Sequence, residues 1–394
     1  MKVISVKYSN KSLVFTLFDI GTEFVIASGT FERIGMPNSY YTIVYNGEKI
    51  REEIVLTDCV EVAKVLLDKL LSLEIISSME DIKGIGYFVF HGKDCFYKST
   101  LLNEADIQQL EDFLDIVPSF MQDNITGIKD FQNVFFGIPI VGVFDTAFYE
   151  FMDESTFLYA VPRRWYLDYG IRKYGFYGIT HQYITNYVKN LFNRDNFNLI
   201  SCYLGSEDVS ISAIKNCKCV DTSMGFSLYS GTMMGTSCGD IDPSIIPYIM
   251  EKEGKNASEV LDDLNYDGGL LGMSEITNDI DAIMSLSEEG NRNASLAKDK
   301  YVRQIVDYIA QYYVLLGGVD IISFTGEIGE KQVSLRREIC EKLCSLGVKI
   351  DLDANNTCHK AIKISAADSS VLVYVIPAKE DLLIARDTWK VLNG

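Results

Sequence analysis

Two stretches of this chain run through the same succession of patterns, and that repetition constrains the fold more than any other feature. Residues 3–7, 13–18 and 24–31 alternate apolar and polar side chains, with turn residues Ser9-Asn10-Lys11 and Gly21 between them. Such alternation predicts a three-strand antiparallel meander. A helical pattern at 59–73, a strand at 84–90, a helix from 103 to about 117 and a strand at 138–144 follow. The order then recurs: a meander at 199–204, 209–214 and 219–222, a helix at 298–316, a strand at 319–324, a helix at 334–346, a strand at 371–376 and a helix at 380–391. This is an internal duplication of roughly 180 residues, too long a period for a solenoid. At 394 residues the chain also exceeds what one core serves. The expected architecture is two α/β domains, 1–147 with 382–394 and 148–381. Each would hold a central five-stranded mixed sheet and turn its first hairpin toward a shared cleft.

Charge narrows the partners. With 55 acidic against 36 basic residues the formal charge is −19, a field that repels nucleic acid and anionic membranes, and no basic patch offsets it. The apolar runs fall far short of the ~20 residues of a membrane span. Lys7 interrupts the apolar region a signal peptide would need. A cytoplasmic location is the expectation. Nine scattered cysteines read as reduced thiols. Cys217-Lys-Cys219 has a metal-ligand look, but a zinc site needs further ligands at set spacing, and strand-end cysteines are the plainer reading.

Duplicated meander-plus-α/β domains resemble the ribonuclease-H-like architecture of the sugar-kinase, hsp70 and actin group, in which paired β-turns hold nucleotide phosphates. Particular motifs narrow the resemblance. Val220-Asp-Thr-Ser-Met-Gly-Phe226, Gly231-Thr-Met-Met-Gly-Thr236, Gly239-Asp-Ile-Asp-Pro243, Val143-Phe-Asp-Thr-Ala-Phe148, Leu316-Gly-Gly-Val-Asp320 and Ile384-Ala-Arg-Asp-Thr388 resemble, in order, motifs of the acetate kinases. The resemblance implies a homodimer that makes acetyl phosphate from acetate and ATP with magnesium. That reaction joins a carboxylate to an already anionic γ-phosphate, so cationic donors carry it.

Those donors are replaced in this chain. Where the family has HRVVHGG, this sequence has Tyr87-Phe88-Val89-Phe90-His91-Gly92-Lys93, so Phe88 takes the place of a catalytic arginine. Ser237 takes the place of the second, in the stretch resembling MMGTRSGDIDP. Tyr177 stands where RRYGFHGTSH has its phosphoryl-binding histidine, and Phe120 at a further active-site histidine. In the first phosphate turn only Ser12 remains; the second, Gly205-Ser206-Glu207-Asp208, is one residue longer than its HLGNGAS counterpart and acidic. Carboxylates there repel a nucleotide that backbone amides would otherwise cradle. On the adenosine side, Asp279, Ile280 and Gly329 match the family, whereas Asp281 replaces an arginine and Glu327 a glycine. The implied acetate pocket involves Phe90, Phe176 and Leu228, with Phe90 and Leu228 bulkier than or different from the family residues.

Asp145 and Glu380 match the acids that the resemblance places near magnesium. Each also has a structural reading, as a strand-end cap or as a carboxylate favoured by a helix N-terminus. His181 reads as a packed, hydrogen-bonded histidine rather than a catalyst, and Asp240 and Asp242 as turn formers. Two functions follow. One is a degenerate homologue serving as a binding or regulatory partner. The other is a remodelled kinase in which Lys7, Lys93 and Lys331 replace the arginines as point charges, using ATP and magnesium.

Overall fold

A computed structural model describes residues 1–9, 11–114, 118–356 and 360–394. Asn10 of the first turn, Val117 at the expected helix end, Cys358 and His359 lie outside the described residues. The chain forms two compact units, Met1–Phe148 with Lys379–Gly394, and Tyr149–Ala378. The return to the first unit comes earlier than the expected 382, at Lys379. The reason is local: Glu380 pairs with Lys7, and Asp381 accepts a hydrogen bond from the Thr16 hydroxyl at 2.7 Å.

The first unit is built on an eight-stranded sheet in the order β5-β4-β3-β2-β1-β6-β8-β7. Its strands are β1 (Lys2–Ser9), β2 (Ser12–Asp19), β3 (Phe24–Glu32), β4 (Tyr40–Tyr45), β5 (Glu48–Glu53), β6 (Ile82–Val89), β7 (Thr100–Leu101) and β8 (Ile140–Phe144). The meander therefore has five antiparallel strands, not three. Sequence reading stopped short because β5, Glu-Lys-Ile-Arg-Glu-Glu, buries almost nothing and lacks an apolar alternation. The overlooked signal is Asn46-Gly47, both at positive φ (49° and 80°), the hairpin turn that matches strand twist.

Helices cover both faces of this sheet. Along β6 successive side chains point to opposite sides. Gly84 and Gly86 face the helix Glu380–Asn393, while the Tyr87 ring meets Phe131 of the helix Pro118–Val134 edge-on at 5.8 Å. A Cβ at Gly86 would lie 2.2 Å from Thr388 Oγ1, so glycine there is what lets the last helix lie against the sheet. The single helix expected from residue 103 is shorter. Asn103 and Asp106 form a reciprocal capping box that starts Glu104–Glu111, and Phe113 and Leu114 then close turns onto Leu110 and Glu111. The helix Pro118–Val134 was not expected.

The second unit carries a six-stranded sheet, β11-β10-β9-β12-β14-β13. Here β9 is Asn198–Leu204, β10 Val209–Lys215, β11 Lys218–Thr222, β12 Ile321–Thr325, β13 Ile362–Lys363 and β14 Leu372–Val375. Strands β9, β12 and β14 are parallel to one another, as β1, β6 and β8 are in the first unit. The five strands β11-β10-β9-β12-β14 repeat the order β3-β2-β1-β6-β8, and this is the duplicated ribonuclease-H-like α/β fold. Each sheet is wider than the five strands expected, because a hairpin and short edge strands are added to the repeated core. Four helices between Ile245 and Glu288 precede the long helix Arg292–Leu316, and none of the four was read from sequence. Asn291 caps the long helix by accepting from Ala294 N at 3.0 Å, which starts it before residue 298. Among the described residues, no helix is long and apolar enough to cross a membrane.

Candidate active site

In the first unit the parallel strands end beside the β1–β2 turn and bring several of the singled-out residues together. Asp145, buried, begins the turn that leaves β8. Glu380 opens the last helix, and its carboxylate lies 3.4 Å from Lys7 Nζ on β1. The same ammonium sits 4.7 Å from the centroid of the Phe88 ring. Glu380 foremost, and Asp145 with it, hold the Lys7 ammonium above its ordinary pKa against the cost of burial. Asp381, one residue on, is pushed above the usual carboxylate range by burial.

The strand end that carries Phe88 continues into Phe90, whose ring stacks on Phe120 at 4.6 Å with planes 14° apart. Two positions at which the family places a small aliphatic residue and a histidine thus form an aromatic pair. Asn124 was not singled out in the sequence. Its side chain accepts from Phe90 N at 2.7 Å and donates to Tyr8 O at 3.3 Å, pinning this strand end to β1. Lys93 turns away: its Nζ reaches the Asp112 carbonyl at 3.5 Å and the Phe113 ring at 4.9 Å. Ser12 opens β2, paired with Ser9 across the turn.

In the second unit Tyr177 precedes the helix Gly178–Phe192 in the left-handed region, φ 62°, after Gly175 and Phe176, also at positive φ. Its hydroxyl donates to Asp208 Oδ2 at 2.5 Å, and its ring stacks on Tyr203 at 4.2 Å. The acidic turn and the residue in the histidine's place are therefore tied to each other. Phe176 is fully buried, its carbonyl accepting from the Tyr149 hydroxyl and from Ser210 Oγ; Leu228 is buried as well. His181 lies between two serine hydroxyls, Nδ1 to Ser201 Oγ at 2.9 Å and Nε2 to Ser210 Oγ at 3.0 Å. Because Ser210 donates onward to Phe176, it accepts from His181 Nε2–H, which assigns the tautomer from the network. Burial pushes the imidazole down to about 3, so it is neutral and structural.

The stretch containing Ser237 is anchored to the second turn, since Gly235 N donates to Glu207 O at 3.2 Å. Ser237 is buried and its carbonyl accepts from Met234 N. Asp240 accepts from Gly231 N and from the Tyr308 hydroxyl of the long helix, so it ties this stretch to that helix rather than only forming a turn, whereas Asp242 accepts from Ser244 and closes a local turn. Beside the second turn opens a pocket of about 370 Å³, with Ser206, Glu207, Asp279, Asp281, Glu327 and Lys331 in its lining and Ile280 and Ile328 as its apolar part. The Asp279 side chain caps the helix Ile280–Glu288 by accepting from Asp281 N at 2.9 Å. Lys331 pairs with Glu327 at 2.7 Å. Asp281 is raised by desolvation and by its acidic neighbours. Behind the pocket, Gly329 and Glu330 offer their carbonyls to Arg336, which is wholly buried and also grips Asn355. The overlooked signal for Arg336 is its spacing, since Ile339, Cys340 and Leu343 follow at three, four and seven positions on the same buried helix face.

These two sets of residues sit at equivalent ends of the two repeated sheets, where parallel α/β strands present ligand sites. The model of the acetokinase family matches residues 2–386. The chain belongs to the acetokinase family. It is 42% identical over 394 residues to the acetate kinase of Geobacillus kaustophilus (strain HTA426), covering 100% of this chain and 99% of that protein. The crystal structure of Porphyromonas gingivalis acetate kinase superposes with a TM-score of 0.94 at 32% identity, over 100% of both chains. A propionate kinase from Francisella tularensis subsp. tularensis SCHU S4 gives 0.92 at 30% identity, over 99% of both chains. As an acetokinase-family member the chain is acetate-kinase-like throughout. The pocket beside its second turn, however, sets four carboxylates against one paired ammonium, a poor fit for a polyanion.

Proposed function

We propose that this acetate-kinase-like protein has little or no ATP:acetate phosphotransferase activity and serves as a binding or regulatory homologue, in the cytoplasm and as a homodimer. One observation carries the reading. Each lysine considered as a substitute for the replaced arginines is held by its own neighbours: Lys7 by Glu380 and the Phe88 ring, Lys93 by Asp112 O and the Phe113 ring, Lys331 by Glu327. Stabilising a transferring phosphoryl group needs donors aimed at its oxygens, and one such donor lost costs on the order of 10²–10³ in rate. Phe88, Ser237, Tyr177 and Phe120 offer none of the charge that the family residues supply, although such losses do not simply add.

The second reading, an active kinase with a remodelled site making an acyl phosphate from another small carboxylate, is favoured by the retention of Asp145 and Glu380. ATP and magnesium would then be its substrate and metal. Trapping of acyl phosphates with hydroxylamine, across short carboxylates with Mg-ATP, decides between the two. The expected signal is indistinguishable from the no-enzyme blank. Phe88→Arg with Ser237→Arg and Tyr177→His should recover only a trace, because Glu207 and Asp208 still repel the nucleotide. Robust turnover by the unaltered chain on any carboxylate would overturn the proposal.

A further inference from the structure

We infer that Lys7 is a built-in cation that takes the place of the magnesium ion at Asp145 and Glu380, so that this half-site is closed to divalent metal. The inference rests on the geometry of the first unit and is separate from whether the protein turns over substrate. Two carboxylates that the family resemblance places beside magnesium survive here. A metal at such a pair is held by charge and by oxygen ligands, with water filling the remaining positions. In this chain the Glu380 carboxylate already faces an ammonium at 3.4 Å, carried by a strand that the β1–β6 pairing holds in register. Asp145, buried where β8 ends beside β6, is the second carboxylate of this half-site.

The residue beneath the ammonium fits the same account. Phe88 offers Lys7 a ring face at 4.7 Å, an attraction that grows as water is excluded. An arginine at position 88, as in the family motif, would instead set a second cation against Lys7. In this chain the cation of the half-site is thus carried by Lys7 on β1 and not by position 88 on β6, and there it neutralises Glu380 rather than facing a phosphate. A lysine cannot do what the metal does. It brings one charge instead of two, and it offers three donors but no coordination position for a phosphate oxygen.

Binding of Mn²⁺ alone to the full-length protein, followed by electron paramagnetic resonance of the free ion, tests this without any turnover. The unaltered chain should show no site tighter than its diffuse surface binding. Lys7→Asn removes the ammonium and supplies an oxygen, and should bind Mn²⁺ roughly ten- to a hundredfold more tightly, the range expected for a charge at this distance that water partly screens. Adding Glu380→Gln to that variant should abolish the gain. Lys7→Gln serves the same purpose if the asparagine variant does not fold. Tight Mn²⁺ binding by the unaltered chain that Glu380→Gln removes would overturn the inference, and so would a folded Lys7 variant with no gain. Either result leaves the proposed lack of turnover standing, whereas acyl phosphate formation would defeat that proposal alone.

Discussion

Replacing His181 should flatten the acid side of the stability profile by an amount the structure sets. The imidazole is fully buried between Ser201 and Ser210, and burial lowers its pKa from 6.5 to about 3. A folded pKa below the unfolded one means that the unfolded chain takes up a proton first as pH falls. The stabilisation is complete above about pH 6.5 and is lost progressively from there toward pH 3. With those limits, linkage puts the loss between pH 7 and pH 5 at about 2 kcal/mol from this one group. Carboxyls held high by burial, Asp381 and Asp387 among them, act in the opposite direction over part of the range, so the raw profile does not isolate the histidine. The comparison with His181→Gln does, since both proteins keep those acids and only one keeps the imidazole. Urea unfolding at the two pH values should show the unaltered protein losing about 2 kcal/mol more than the variant. Equal losses in both proteins would refute the reasoning and return His181 to the list of groups that titrate in the folded state.

Two other predictions concern the second unit. Mg-ATP should bind poorly by calorimetry, and replacing Glu207 and Asp281 by Gln and Asn should tighten it roughly tenfold or more, because two like charges leave the pocket lining; micromolar affinity in the unaltered protein would argue against an acidic barrier. Arg336→Met should destabilise the protein by about 3 kcal/mol or more in urea unfolding, as it strips the carbonyls of Gly329 and Glu330 and the Asn355 side chain of their donor, each orphaned acceptor costing about 1–3 kcal/mol; a loss below about 1 kcal/mol would show that the brace is dispensable.

The duplication and the family were legible in the chain because both are written locally. Period-two alternation marks a half-buried strand wherever it occurs, and the motifs from Val143 to Thr388 keep their spacing whatever packs around them. The replacement of Phe88, Ser237 and Tyr177 was equally plain, since a guanidinium or an imidazole cannot be mistaken for a ring, a hydroxyl or a phenol. What escaped was charged, short or long-range. Strand β5 hid behind its glutamates, and the helices between Ile245 and Glu288 are each only six to ten residues long, too short for apolar periodicity to single them out.

The sequence by itself determined the repeated α/β core, the family and the identity of the missing donors, because backbone preference and side-chain chemistry are properties of residues and their near neighbours. Only the tertiary structure decided what the surviving charges do. Lys7 and Glu380 are 373 positions apart, and no local pattern says that one neutralises the other. Tyr177 and Asp208 look like two separate losses until folding joins them in one hydrogen bond. A charge acts over a few ångströms and is blind to chain separation, so whether a lysine meets a phosphate, a ring or a carboxylate is settled by packing alone.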